Sequence, residues 1–129
     1  MSLQYTKLGK TKIKISQIGI GTWQWGSKSW GYGHEYAYED LKQAFERAVE
    51  IGINLIDTAE MYGSGKSEEI IGNLISEYRE DIVIASKVHP YHLTYRGVKK
   101  AFQGSINRLK TDYIDFYYVH WPNPIIPMH

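Results

Sequence analysis

Short apolar runs alternate with amphipathic stretches along most of this chain. The apolar runs lie at 17–21, 53–56, 81–88 and 112–119 and are rich in branched or aromatic residues, which predicts buried β-strands. Apolar side chains recur every three or four residues at 38–51, 67–78 and 94–109, which predicts amphipathic helices. Because a helix follows every strand except the last, the order predicts a parallel α/β sheet with right-handed crossovers.

The first residues follow a different pattern. Residues 12–15 alternate basic and apolar side chains, as a strand with one solvent-facing side does. Gly9 and Lys10, just before this segment, predict a turn. We therefore predict a β-hairpin over about 3–15, which caps the β/α units of about 17–120 from outside.

A long loop, 23–36, joins the first predicted strand to the first predicted helix. It contains Trp23, Trp25, Trp30 and Tyr32. A long aromatic loop on a rigid strand favours a binding site. The alternative is a loop whose aromatic side chains pack on one another.

The composition narrows the classes of function. A formal net charge of +1 gives no electrostatic basis for binding nucleic acid or an anionic membrane. The absence of cysteine excludes disulfides and thiolate metal sites. No apolar run is long enough to cross a bilayer, and the N-terminus lacks the apolar centre of a signal peptide. We therefore expect a cytoplasmic protein. His89 and His92 are interpreted as solvated loop histidines, with an adventitious metal pair as the alternative.

Reactive side chains stand at the ends of the predicted strands. Asp57 follows the second strand and precedes Tyr62, Lys87 ends the third strand, and His120 follows the fourth. Because the carboxyl ends of parallel strands face the same side of a sheet, we expect these groups to converge on one mouth. Taken alone, an aspartate at such a position is more often a loop cap. The joint pattern is what indicates a site.

These groups suit proton transfer to a carbonyl oxygen. A free phenol has a pKa of about 10, and a nearby cation favours its phenolate and so makes it a better acid. Lys87 can supply that cation for Tyr62, and Asp57 can keep Lys87 charged. His120 can donate a hydrogen bond that orients the substrate oxygen. Since no side chain carries a hydride, reduction would need a cofactor.

Several motifs together resemble those of the aldo-keto reductase family, over nearly the whole chain. They are Gly19-Ile20-Gly21-Thr22-Trp23, Asp57-Thr58-Ala59-Glu60-Met61-Tyr62-Gly63, Gly65-Lys66-Ser67-Glu68-Glu69, Ala85-Ser86-Lys87, Ser105 to Leu109 with Thr111-Asp112-Tyr113-Ile114-Asp115, and Val119-His120-Trp121-Pro122. The resemblance implies a (β/α)8 TIM barrel that reduces aldehydes or ketones to alcohols with NADPH and without metal. It implies that residues 1–129 are the N-terminal half-barrel, preceded by the capping hairpin.

The resemblance also assigns roles to the residues at the strand ends. It implies that Tyr62 is the proton donor, that Lys87 and Asp57 tune it, and that His120 orients the carbonyl. It places Trp23, His120 and Trp121 against the substrate. It places Gly21, Thr22 and Asp57 beside the nicotinamide ribose of NADPH.

The length of the chain departs from the family pattern. A barrel of this type needs about 250 residues, and this sequence supplies the hairpin and four strands. In the family, most cofactor contacts come from the second half. We therefore expect a truncated chain that is inactive alone and whose exposed sheet edges promote self-association. The alternative function is a non-catalytic remnant that binds itself or a partner.

Overall fold

The computed structural model describes residues 3–126 as two sheets and the helices that cover one of them. The strands are β1 (Tyr5–Lys7), β2 (Lys14–Ser16), β3 (Gly19–Gly21), β4 (Leu55–Asp57), β5 (Val83–Val88) and β6 (Phe116–Val119). The α-helices are α1 (Tyr38–Glu50), α2 (Lys66–Leu74) and α3 (Tyr95–Leu109). Strands β1 and β2 pair in antiparallel fashion, and β3-β4-β5-β6 form a parallel sheet in chain order. The predicted hairpin and alternating β/α units are confirmed.

The last parallel strand is shorter than the sequence predicts. It begins at Phe116 and not at Asp112. The reason is Arg79, whose Nε donates to Thr111 Oγ1 (2.9 Å) and whose guanidinium also donates to Asp115 Oδ2 (2.8 Å). These bonds hold residues 111–115 outside the strand, because a guanidinium that donates through several N–H groups fixes the geometry of its partners.

The hydrophobic core lies between the outer face of the parallel sheet and the helices. Ile56 and Ile84 point outward from β4 and β5 and are almost fully buried. They meet the apolar faces of α1, α2 and α3, whose most buried members include Phe45, Ile70, Ile71 and Leu109. The sequence predicts that the apolar face of α2 continues to Tyr78, but the helix ends at Leu74. Within the described residues, no helix is long and apolar enough to span a membrane.

The hairpin closes one end of the concave face of the parallel sheet. Asn54 fastens it, because its Oδ1 accepts from the Ser16 amide (2.7 Å) and its Nδ2 donates to the Lys14 carbonyl (3.0 Å). Leu8 and Ile15 then face the sheet across a cavity of about 180 Å³. The sheet residues that line this cavity are Leu55, Asp57, Ala85, Phe116 and Tyr118. The hairpin therefore caps the concave face at the end opposite the carboxyl ends of the strands.

Both outer strands of the parallel sheet have an open edge within the described residues. Strand β3 pairs only with β4, and β6 pairs only with β5. Phe116 on the β6 edge is 42% exposed, although it is a large apolar side chain. The sheet is therefore an open half-barrel.

Candidate active site

Lys87 is the centre of the cluster at the strand ends. It lies on β5, where every residue is buried. Its Nζ donates to Asp57 Oδ2 (2.8 Å), to the Thr58 carbonyl (2.8 Å) and to the Tyr62 hydroxyl (3.2 Å). Burial disfavours the ammonium form of Lys87, but the bonds to Asp57 and Tyr62 outweigh it, so the pKa of Lys87 is raised. Lys87 therefore carries a positive charge beside the Tyr62 hydroxyl.

The carboxylate of Asp57 is divided between two donors. Its Oδ2 accepts from Lys87, and its Oδ1 accepts from the Tyr118 hydroxyl (2.7 Å). The Asp57 side chain is 39% exposed, whereas that of Lys87 is 8% exposed. The pair is thus open to the mouth of the half-barrel on the side of Asp57.

Tyr62 is held by an unusual backbone turn that follows it. Gly63, Ser64 and Gly65 all have positive φ angles, of 57°, 56° and 94°. A β-carbon on Gly63 would lie 3.1 Å from the Trp25 carbonyl oxygen, and one on Gly65 would lie 2.8 Å from Arg108 Cδ. Side chains at these glycines would therefore push away the neighbours against which the turn is packed. The turn therefore fixes the position of the Tyr62 phenol in the site.

His120 lies against Tyr62 at the end of β6. The two rings meet edge to face with their centroids 5.5 Å apart. Burial lowers the pKa of His120, and the charge of Lys87 lowers it further. The imidazole is therefore neutral near pH 7, with one N–H to donate. Its Nδ1 is buried and has no hydrogen-bond partner among the described residues.

Thr22 lies at the predicted mouth but turns its side chain away from it. It is fully buried, and its Oγ1 donates to the Asp57 carbonyl (3.0 Å) and contacts Ser67 Oγ (2.8 Å). Ser67 Oγ also contacts Thr58 Oγ1 (3.0 Å). These three hydroxyls join β3, β4 and α2 behind the site. The Thr22 hydroxyl is consequently engaged inside the protein and does not face a cofactor at the mouth.

A second buried network lies behind Lys87. Glu68 is completely buried in α2 and accepts from Ser86 Oγ (2.6 Å) and from Arg108 Nε (2.8 Å). Ser86 precedes Lys87 on β5, and Arg108 packs against Gly65 in the turn after Tyr62. The Glu68 carboxylate therefore ties α2 to β5, which carries Lys87, and to α3, whose Arg108 adjoins the turn after Tyr62. No pattern in the sequence pointed to this network.

Two exposed tryptophans follow the ends of β3 and β6. Trp23, which follows β3, is 60% exposed and lies 5.0 Å from the Trp30 ring, measured between centroids. Trp121 is 46% exposed and lies 4.5 Å from His120. Trp25, by contrast, is 3% exposed and belongs to the core. The aromatic loop thus contributes both to the core and to the exposed surface near the strand ends.

The loop after β5 is held by Glu60. Its Oε1 accepts from the His89 amide and lies 2.9 Å from His92 Nδ1. The other histidine accepts from the Tyr91 amide through its own Nδ1. Within the described residues, no group of three or more possible metal ligands is present. Glu60 therefore links the loop after β4 to the loop after β5.

The strand ends have room for a cofactor on the side of β3. A β-carbon on Gly21 would meet no atom within 4 Å, so the face of the β3 end is open. Asp57, the partner of Gly21 in the register of the two strands, exposes part of its carboxylate beside this space. The backbone of Gly21 and the side chain of Asp57 fit a polar ligand group here, whereas the Thr22 hydroxyl does not.

The parallel half-barrel carries a Tyr–Lys–Asp–His cluster at the carboxyl ends of its strands. The sequence matches the Aldo/keto reductase family over residues 17–129. The chain belongs to the aldo/keto reductase family. Its sheet is accordingly part of a (β/α)8 TIM barrel, as the sequence predicts.

Three relatives illustrate the similarity. The uncharacterized oxidoreductase Rv2298 of Mycobacterium tuberculosis is 43% identical over 114 residues, which cover 88% of this chain and 35% of that protein. The thermostable aldo-keto reductase Tm1743, solved with the inhibitor epalrestat, is 40% identical with a TM-score of 0.84 over 97% of this chain and 45% of that one. An aldo-keto reductase from Klebsiella pneumoniae, solved with NADPH, is 32% identical with a TM-score of 0.81. The match covers 95% of this chain and 41% of that one. The chain spans less than half the length of these relatives.

Proposed function

We propose that this chain supplies the catalytic half of an NADPH-dependent reductase of aldehydes or ketones. One observation carries the proposal, namely that Lys87 Nζ contacts both Asp57 Oδ2 (2.8 Å) and the Tyr62 hydroxyl (3.2 Å). A buried ammonium next to a phenol favours release of the phenolic proton. The NADPH complex of the Klebsiella pneumoniae relative supports the choice of cofactor.

The reaction divides between the cofactor and the chain. NADPH, when bound, supplies the hydride for the carbonyl carbon. Tyr62 gives its proton to the carbonyl oxygen, so that an alcohol forms, and Lys87 stabilises the phenolate that remains. Asp57 keeps Lys87 charged. Gly21 and Asp57 would adjoin the nicotinamide end of the cofactor.

His120 acts as the orienting group in this proposal. Its neutral imidazole donates an N–H to the carbonyl oxygen that Tyr62 protonates. The lowered pKa of His120 supports this role, because a neutral ring gives up no proton of its own. The exposed indoles of Trp23 and Trp121 would then contact the rest of the substrate.

A chimaera tests the proposal. Residues 1–129 replace the matching part of Tm1743, and circular dichroism and NADPH fluorescence establish that the product folds and binds cofactor. Tyr62→Phe should lower the rate of aldehyde reduction by about 10² or more and leave the NADPH dissociation constant unchanged. Lys87→Met should act in the same direction. A Tyr62→Phe chimaera that reduces aldehyde at the parent rate would contradict the assignment.

His120→Ala separates orientation from cofactor binding. Turnover should fall while the dissociation constant for NADPH stays nearly unchanged, because the ring lies against Tyr62 at the end of β6. A variant that loses NADPH affinity and keeps its turnover would place His120 at the cofactor.

A second candidate function follows from the open sheet edges. We propose that the 129-residue chain by itself turns over no substrate and associates with a second copy. Exposed strand edges pair with other chains, and Phe116 is 42% exposed on such an edge. A two-fold axis along the barrel would place β6 of each copy beside β3 of the other, which leaves no open edge.

Sedimentation velocity at micromolar concentration tests this second candidate. We expect a dimer, and we expect Phe116→Ser to shift the distribution toward monomer. NADPH oxidation with a reactive aldehyde should remain at background. A stable monomer with measurable turnover would contradict both statements.

A further inference from the structure

Tyr118 contacts the reactive cluster and has no role in the proposed reaction. It lies on β6 opposite Lys87 of β5 in the register of the two strands. Its hydroxyl donates to Asp57 Oδ1 (2.7 Å), and Lys87 Nζ lies 5.3 Å from the centre of its ring. The charged groups that face the Tyr118 hydroxyl are thus Asp57 on β4 and Lys87 on β5.

The alternation along β6 explains why this tyrosine reaches the site. Phe116, Tyr118 and His120 share the concave face, since side chains two residues apart point to the same side of a strand. Phe116 packs on the Tyr118 ring with their centroids 5.0 Å apart. Tyr117 points to the other face and packs on Phe102 of α3. Adjacent tyrosines on one strand therefore face opposite environments.

We propose that Tyr118 is a positioning residue, whose hydroxyl holds the Asp57 carboxylate so that Oδ2 faces Lys87. The proposal rests on the proposed function for its catalytic consequence. A carboxylate bound through one oxygen can rotate about its side-chain bonds. A donor on the second oxygen restricts that rotation and fixes the direction of the first. Tyr118 supplies this second donor, and the partly exposed side of Asp57 has no other side-chain donor among the described residues.

The hydroxyl of Tyr118 is suited to donate and unsuited to act as the acid. Burial raises the pKa of Tyr118, and its bond to Asp57 raises it further. It therefore stays protonated while Asp57 is charged. Tyr62 differs because its hydroxyl contacts the Lys87 ammonium directly. Of the two phenols near Lys87, one is placed to release a proton and the other to hold a carboxylate.

The hydrogen bond from Tyr118 also has an electrostatic effect. A donor on Asp57 withdraws negative charge from the carboxylate that opposes Lys87. Without that donor, the full carboxylate charge offsets the ammonium more strongly, and the ammonium stabilises a phenolate at Tyr62 less. Loss of the Tyr118 hydroxyl should therefore weaken proton donation as well as loosen Asp57.

The first test uses the 129-residue chain and needs no activity. NMR coupling constants report the χ1 rotamers of Asp57 in the parent, in Tyr118→Phe and in the matched control Tyr117→Phe. The parent and the control should show one rotamer, and Tyr118→Phe should show an average of several. A single, unchanged Asp57 rotamer in Tyr118→Phe would overturn the proposal, whatever the chain does catalytically.

The second test uses the Tm1743 chimaera. Tyr118→Phe should lower kcat by about tenfold, the expected size for one lost hydrogen bond to a charged group. The KM for aldehyde should change by less than about twofold, because the hydroxyl does not contact the substrate. The alkaline midpoint of the kcat–pH profile should move to higher pH. Tyr117→Phe should leave kcat and the midpoint unchanged.

The outcomes separate this inference from the function on which it depends. If Tyr62→Phe abolishes reduction but Tyr118→Phe leaves kcat and the midpoint unchanged, the positioning role is wrong and the proposed function stands. If Tyr118→Phe and Tyr117→Phe lower kcat equally, the effect is structural and the inference is overturned. If Tyr62→Phe is fully active, the proposed function fails, and the rotamer measurement still decides whether Tyr118 holds Asp57.

Discussion

Replacing Glu68 by glutamine should destabilise the protein far more than the same change at the next residue. Glu68 is 0% exposed and accepts from Ser86 Oγ (2.6 Å) and Arg108 Nε (2.8 Å). Glutamine keeps the shape but removes the charge, and its amide nitrogen can only donate. One of the two donors therefore loses its acceptor, and the Arg108 guanidinium loses its counter-ion.

The burial of the two partners sets the size of the effect. Breaking a fully buried ion pair from one side costs about 3–5 kcal/mol. The Arg108 side chain is 28% exposed, so water recovers part of the loss. We therefore expect Glu68→Gln to lower the free energy of unfolding by about 2–3 kcal/mol. For a domain of this size that corresponds to a fall in Tm of about 10 °C.

Urea unfolding followed by circular dichroism measures the change, and Glu69→Gln is the matched control. Glu69 follows Glu68 on α2 and pairs with Lys66 at 3.0 Å, but its side chain is 47% exposed. An exposed ion pair of this kind contributes about 0–1 kcal/mol. The two substitutions are chemically identical, so the difference between them isolates the effect of burial.

A double-mutant cycle gives the refuting result. Arg108→Met in the Glu68→Gln background should restore part of the lost stability, because neutral partners leave no buried charge without a counter-ion. If Glu68→Gln is no more destabilising than Glu69→Gln, or if its effect simply adds to that of Arg108→Met, the buried pair does not fasten α2 to α3.

Two further predictions concern helix packing and pH. Gly72→Ala should destabilise the protein by about 1–3 kcal/mol, although alanine has the better helix propensity, because its β-carbon would overlap the Arg108 carbonyl where α2 and α3 touch. Thermal unfolding measures this change, and a more stable variant would contradict the prediction. Because burial lowers the pKa of His120 in the folded protein, the unfolded chain binds its proton more readily, so stability should fall as the pH drops below about 6.5. His120→Gln should flatten that part of the stability–pH curve, and an unchanged slope would refute His120 as its origin.

The convergence of the candidate site was within reach of the sequence. Asp57, Lys87 and His120 each stand at the end of an apolar run, and the alternation of strands and helices requires those ends to face one side. Tyr118 was harder to recognise as a site residue, because its neighbours in the strand are also aromatic or apolar. Its position two residues before His120 is the signal that could have placed it on the concave face. The role of Glu68 carries no such signal, since an acid in the first turn of a helix is ordinarily a solvated one.

The sequence by itself determined the order of elements, the parallel sheet and the residues that reach its carboxyl ends, because hydrophobic periodicity and turn residues act over short distances along the chain. Only the tertiary structure decided how the polar groups are paired. The Thr22 hydroxyl turns inward, where it donates to the Asp57 carbonyl and accepts from Ser67, 45 residues away. Asp57 faces Tyr118 across 61 residues of sequence. Such pairings form only between side chains that tertiary packing brings within about 3 Å of one another. The local sequence pattern does not determine that distance.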